Sequence, residues 1–152
     1  TEVKSVRASP EEAARTRLRK GDMLIVEGHG NPEEIGRAAI WDGSIDTCLH
    51  QNHLIRVRFS ESIMPDYGVA YLNSRHGRQH LLRSGKTTSW LNTISTSDVR
   101  RTPILVPPLD EQRRFVARVA ITRAIALQLR QQLAGLDDLF AALQDRAFKG
   151  EL

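Results

Sequence analysis

The sequence has a single cysteine, Cys48, among its 152 residues, so no internal disulfide can form and the thiol content fits a reducing compartment. It has no run near the eighteen or so apolar residues needed to cross a bilayer and no signal-peptide pattern, so a cytoplasmic protein without membrane contact is expected. No internal repeat and no low-complexity tract interrupts it. The chain opens on Thr1 and not on a methionine, which reads as a processed or partial product.

Complete catalytic and cofactor motifs are also missing. Gly85-Lys86-Thr87-Thr88 matches the end of a phosphate-binding loop, but His80 stands where the glycine five residues earlier is required. Gly28-His29-Gly30 starts a dinucleotide fingerprint whose third glycine is replaced by Glu33. Asp66 could begin a restriction-nuclease metal site, but Lys86 and Lys149 lack the acid two residues before them. His50-Gln51-Asn52-His53 has the outline of a histidine–asparagine–histidine nuclease and, with Cys48, of a zinc site. On a strand, however, the two histidines would face opposite ways. Val106-Pro107-Pro108-Leu109 lacks both flanking residues of the adenine-methyltransferase motif. The expectation is no catalytic residue, no metal and no cofactor.

What is present is globular: 40% hydrophobic and 26% charged residues suit one domain of ordinary size. The net charge of +4 is modest but unevenly spread. Between Thr47 and Arg101, eight Lys and Arg face three Asp and Glu, an excess of +5, and four of the five histidines lie there too. Such a local excess attracts a phosphate backbone, and a solvated basic face gives the same count.

Beyond Pro107-Pro108, the chain runs about forty residues without a proline, and Asp110 and Glu111 place negative charge at what would be the positive end of a helix. A helix is expected over 107–152. On a heptad, Phe115, Val119, Thr122, Ala126, Leu129, Leu133, Leu136, Phe140, Leu143 and Ala147 fall on one seam, and all but Thr122 are apolar. Such a seam needs a partner helix. The competing reading folds the helix back on its own domain at Gly135.

The region 1–106 reads as short strands and small helices. Ser9-Pro10-Glu11-Glu12 is a capping box for a helix over Pro10–Thr16. Strands are expected at Met23–Val26, at Arg37–Trp41, over the alternating stretch His53–Phe59, and at Thr102–Val106. Helical segments are expected from Pro65 to about Arg75 and from Arg78 to Arg83, with a turn-rich stretch from Asn92 to Arg101. Arg56 and Arg58 read as a solvated strand face or as phosphate contacts. The fold class is α+β: a short-stranded domain followed by one long, coiled-coil-like helix.

"PILVPPLDEQRRFVARV" followed by "LDDLFAALQDRAFKGEL" resembles the junction and helix of the DNA specificity subunit of type I restriction–modification systems. "LRKGDMLIVEGHGNPEEIGRAAIW", "HQNHLIRVRF" and "GKTTSWLNTI" resemble segments of its target recognition domain, in the same order. The resemblance implies a recognition domain over 1–106, without the further N-terminal segment usual in that family, and a helix over 107–152 for dimerisation or for docking a methyltransferase subunit. It also implies binding to double-stranded DNA, with methylation and cleavage left to the methyltransferase and restriction subunits. A full subunit of that family carries two such domains and two antiparallel helices, so two copies of this chain could pair as a homodimer.

Two stretches supply candidate DNA contacts: His29, Asn31 and Arg37, and then Arg75, Arg78, His80, Lys86, Thr87, Thr88 and Trp90. Arginine and asparagine can pair with guanine and adenine edges, whereas lysine and threonine reach phosphates. The candidate helix interface is Phe115, Val119, Leu129, Leu133, Leu136, Phe140 and Leu143. Two rivals remain from other classes: a stand-alone nuclease built around His50–His53, and a coiled-coil module whose head binds protein.

Overall fold

A computed structural model describes residues 4–84, 86–88 and 91–151, with the backbone alone for 86–88 and 91–92. It divides into two compact units, one ending at Gln112 and the other beginning at Arg113.

Helix α1 (Pro10–Thr16) forms as its capping box dictates. The Ser9 hydroxyl accepts from the Glu12 N–H at 3.2 Å and the Glu12 carboxylate accepts from the Ser9 N–H at 2.9 Å. Strand β1 (Met23–Val26) follows, then β2 (Gly28–His29), a 3-10 turn over Pro32–Glu34, β3 (Ala38–Ile40) and β4 (Leu54–Val57). These make an antiparallel sheet in the order β3-β1-β4, with Ile25 opposite both Ala38 and Ile55. The outer edge of β3 is closed by a side chain. The Asn73 amide accepts from the Ala38 N–H at 3.0 Å and donates to the Ala38 carbonyl at 2.7 Å, as a neighbouring strand would.

Helices α2 (Pro65–Asn73) and α3 (Arg75–Ser84) supply Val69, Leu72 and Leu81 to a core with Met23, Ile25, Ile35, Ile55 and Ile94. The break between them falls at Ser74, earlier than expected. Its extended backbone ends α2, and its hydroxyl accepts from the Gly77 N–H at 3.3 Å to start α3. Gly77 is required at this corner because a Cβ would collide with the Tyr71 carbonyl and the Leu72 backbone. Strands β5 (Lys86–Thr88) and β6 (Leu91–Thr93) come next, then helix α4 (Thr96–Arg100). The stretch expected to be turn-rich therefore holds a strand and a helix, the latter started by a second capping box, Ser95 with Asp98.

One further expectation is corrected, and another is refined. Thr102–Val106 is not a strand: Pro103 has no N–H to give a ladder, and the segment is tied down by the Tyr71 and Tyr67 hydroxyls, which donate to the Pro103 and Leu105 carbonyls at 2.8 Å each. Arg58 is exposed, as expected of a solvated strand face, but it is also engaged. Its guanidinium grips the buried Asp22 carboxylate with two bonds, 2.6 and 2.7 Å, while Arg56 donates to the Arg17 carbonyl at 2.7 Å. Burial pushes the Asp22 carboxyl up, but Arg58 and the Arg19 N–H at 2.8 Å outweigh it and hold the group below its ordinary value.

Helix α5 (Leu109–Phe148) is one continuous helix of 40 residues, about 60 Å at 1.5 Å per residue, and it passes Gly135 without a break. The fold-back at Gly135 does not occur. At its root the buried group is Gln112, 0% exposed, rather than the half-exposed Leu109. The Gln112 amide donates to the Ser62 and Pro107 carbonyls at 2.9 and 2.8 Å and accepts from the Met64 N–H at 2.9 Å. At the far end Gly150 takes the left-handed conformation (φ 72°), and the Gly150 and Glu151 N–H groups reach back to the Ala147 and Arg146 carbonyls. That is the glycine-dependent close of a helix, and it accounts for the glycine in the tail motif.

Candidate nucleic-acid interface

Two of the stretches singled out in the sequence meet in a second small sheet, ordered β2-β6-β5. Its register sets His29 opposite Asn92 and Asn92 opposite Thr87, so the His29 loop and the Lys86–Thr88 strand lie on either side of β6 although more than fifty residues separate them in sequence. The Ile94 N–H donates to the Glu27 carbonyl at 2.9 Å, which ties the end of this sheet to the end of β1.

The loop from His29 to Arg37 is held by its own side chains. His29 Nδ1 accepts from the Asn31 N–H at 3.0 Å, and Asn31 Oδ1 accepts from the Glu33 N–H at 3.0 Å. With Nδ1 accepting, a neutral His29 ring carries its proton on Nε2 and presents a donor there. The Asn31 NH2 likewise makes no hydrogen bond among the described residues. Arg37 is exposed and held by both Glu34 carboxylate oxygens, at 2.8 and 2.6 Å, so any base contact it makes must compete with that pair. Ile35 is the loop's anchor in the core, 2% exposed.

Helix α3 carries three of the candidates into different surroundings. Arg75 is exposed in its first turn, on the same face as Gln79 and Arg83 by helical spacing, with His76 beside them. Arg78 faces inward and donates to the Glu33 and Ile35 carbonyls of the His29–Arg37 loop. The Nε2 of His80 is shut off from solvent and has no partner among the described residues. Lys86, Thr87 and Thr88 form β5, and Trp90 lies outside the described residues. Arg83 belongs to the Arg75–Trp90 stretch that the sequence offers for DNA contact, whereas His76 and Gln79 were not singled out. Their shared face follows from Gly77 and Leu81 being the buried side of α3.

On α5 the seam residues are open to solvent within their own unit: Phe115 is 41% exposed, Leu129 58%, Leu133 60%, Leu136 62%, Phe140 62% and Leu143 42%, with Val119 half-buried. Phe115, Val119, Thr122 and Ala126 line a shallow apolar groove between Arg118 and Arg123. His50 Nδ1 lies 3.2 Å from the Gln51 carbonyl. Among the described residues, no three His, Cys, Asp or Glu side chains are grouped to hold a metal ion, and no helix is long and apolar enough to cross a membrane.

No family model matches the chain. Against curated proteins, it is 30% identical over 160 residues to the type I restriction enzyme EcoKI specificity subunit of Escherichia coli K12, covering 99% of this chain and 34% of that protein. It is 28% identical over 154 residues to the type I restriction enzyme StySPI specificity subunit of Salmonella potsdam, covering 98% of this chain and 33% of that protein. The chain therefore spans about a third of the length of the curated relatives it matches.

Proposed function

We propose that this chain, related along nearly its whole length to the specificity subunits of type I restriction enzymes, is a sequence-specific DNA-binding module of such an enzyme. The recognition domain is residues 1–106, and the helix region 107–152 docks a methyltransferase subunit and, through it, the restriction subunit. Methyl transfer and cleavage belong to those partners, in the cytoplasm, and this chain is non-catalytic. The observation that carries the reading is the β2-β6-β5 sheet, which joins the His29 loop to the Lys86 strand beside the basic helix α3. His29, Asn31, Arg37 and Arg75 then supply hydrogen-bonding groups toward bases or phosphates, and Lys86, Thr87 and Thr88 supply phosphate contacts, with His80 and Trp90 at the edge of the same stretch.

The seam from Phe115 to Leu143 exposes a larger apolar stripe than a soluble monomer usually carries. A second copy paired through it would recreate a two-headed arrangement that reads a site with inverted halves. The relatives favour this account over a stand-alone nuclease at His50–His53 or a head that binds only protein.

The test is the salt dependence of binding to duplex DNA. Affinity should fall steeply with salt, and Lys86→Ala should lower the slope of log K against log salt by about one. An unchanged slope removes Lys86 from the interface, and salt-insensitive or absent binding by the wild-type chain overturns the reading.

A further inference from the structure

We infer that Arg78 is a positioning residue for DNA discrimination: its guanidinium binds the backbone of the His29–Arg37 loop and fixes the loop's shape. The inference rests on the DNA-binding reading above and gives Arg78 a role there other than contact with DNA.

Three observations converge on this role. The loop has two of its carbonyls, Glu33 and Ile35, turned to the same Arg78 nitrogen. Arg78 lies one residue from Gly77, where α3 is pressed against the Tyr71 and Leu72 backbone, so its starting point cannot shift. The loop is also fixed on its far side, because Gly36 at φ 72° packs against Leu81, three residues along α3 from Arg78. The end of the loop is tied to β1 by backbone bonds, Gly36 N–H to the Val26 carbonyl at 3.0 Å and Val26 N–H to the Arg37 carbonyl at 2.9 Å, while the loop's own side-chain bonds are short-range: Asn31 to His29, Glu33 to Asn31, and Arg37 to Glu34. Among the described residues, Arg78 is the side chain that ties carbonyls in the middle of the segment, those of Glu33 and Ile35, to another element.

A charged donor on neutral carbonyls makes stronger bonds than an uncharged one, and one terminal guanidinium nitrogen carries two N–H groups held in the plane, one for each acceptor. A reading loop discriminates only if its donors and acceptors are set before DNA arrives, since ordering on binding weakens right and wrong sequences alike. An arginine spent on carbonyls beneath a loop therefore contributes to the ratio of affinities rather than to the electrostatic attraction.

The test compares wild type, Arg78→Ala and Arg78→Lys on two duplexes of equal length: one selected from a random pool by the wild-type protein, and one scrambled. Arg78→Ala should lose tenfold or more of the affinity ratio between the duplexes, while the salt slope on the scrambled duplex and the melting temperature stay near wild type. Lysine, whose ammonium can reach one of the two carbonyls, should restore part of the ratio. Amide hydrogen exchange at Ile35, Gly36 and Arg37 should quicken in Arg78→Ala, with exchange in β4 unchanged as the control for folding. A fall of about one in the salt slope with the ratio retained would make Arg78 a phosphate contact and overturn the inference. Unchanged exchange at 35–37 overturns it whether or not the wild-type chain discriminates between duplexes, so this arm separates its failure from that of the DNA-binding reading.

Discussion

Asp22 shows how much one residue can rest on a partner that periodicity sends elsewhere. Its carboxylate is 1% exposed and depends on Arg58 and the Arg19 N–H. Arg58→Ala strands a buried charge. The expected loss is about 3 kcal/mol, at the low end for breaking a buried pair, because Arg58 itself is 43% exposed and the pair is partly screened. Urea unfolding at neutral pH measures it. The pH dependence has a fixed sign. Since folding lowers the Asp22 pKa from its ordinary 3.8, its contribution is present above that value and is lost as pH falls through the lower folded value. Arg58→Ala should therefore flatten the acid side of the stability profile. None of this was legible in the sequence, because alternation along His53–Phe59 puts Arg58 on the outer face. Nothing local announces an acid thirty-six residues upstream in need of a cation.

At the scale of the element, legibility followed how local the determinant is. Helix α1 was read to the residue because Ser9 and Glu12 cap it within one turn, and α5 was read because its prolines and acidic first turn mark its start and no later proline interrupts it. Helix α4 has the same kind of local box, Ser95 with Asp98, which was there to be read and was overlooked. Thr102–Val106 went wrong for a different reason: an extended apolar run becomes a strand only if a neighbour offers a ladder, and here tyrosine hydroxyls take that place. The root of α5 hides its key group in plain view. Gln112, part of the proline-proline-leucine motif, satisfies three backbone groups at a site with no solvent. Gln112→Glu keeps the shape but removes the donor to the Ser62 and Pro107 carbonyls, and should cost about 3 kcal/mol or more. A melting temperature within about one degree of wild type would show that the root does not depend on it.

For the molecule as a whole, the N-terminal unit and the helix make separate demands. The seam on α5 stays apolar over Leu129, Leu133, Leu136, Phe140 and Leu143, and charge placed there should disrupt pairing without touching the head. Leu133→Lys with Leu136→Lys should convert a dimer to a monomer in light scattering while the near-ultraviolet spectrum of the head is kept. A wild-type chain that stays monomeric at high concentration removes the homodimer and leaves the seam to a partner subunit. The candidate interface was only half legible at this scale. Composition marked Thr47–Arg101 as basic, but the pairing of β2 with β6, which joins part of that region to the His29 loop, is a long-range contact that no local pattern encodes. Whether that joined surface reads sequence is the central claim, and the direct measurement is a selection of random duplexes by the wild-type protein with the proposed methyltransferase partner present. The account predicts enrichment of one short motif, lost when His29, Asn31 and Arg75 are changed to alanine together. Recovery of the random pool without enrichment, or the same motif selected by the triple variant, would contradict it.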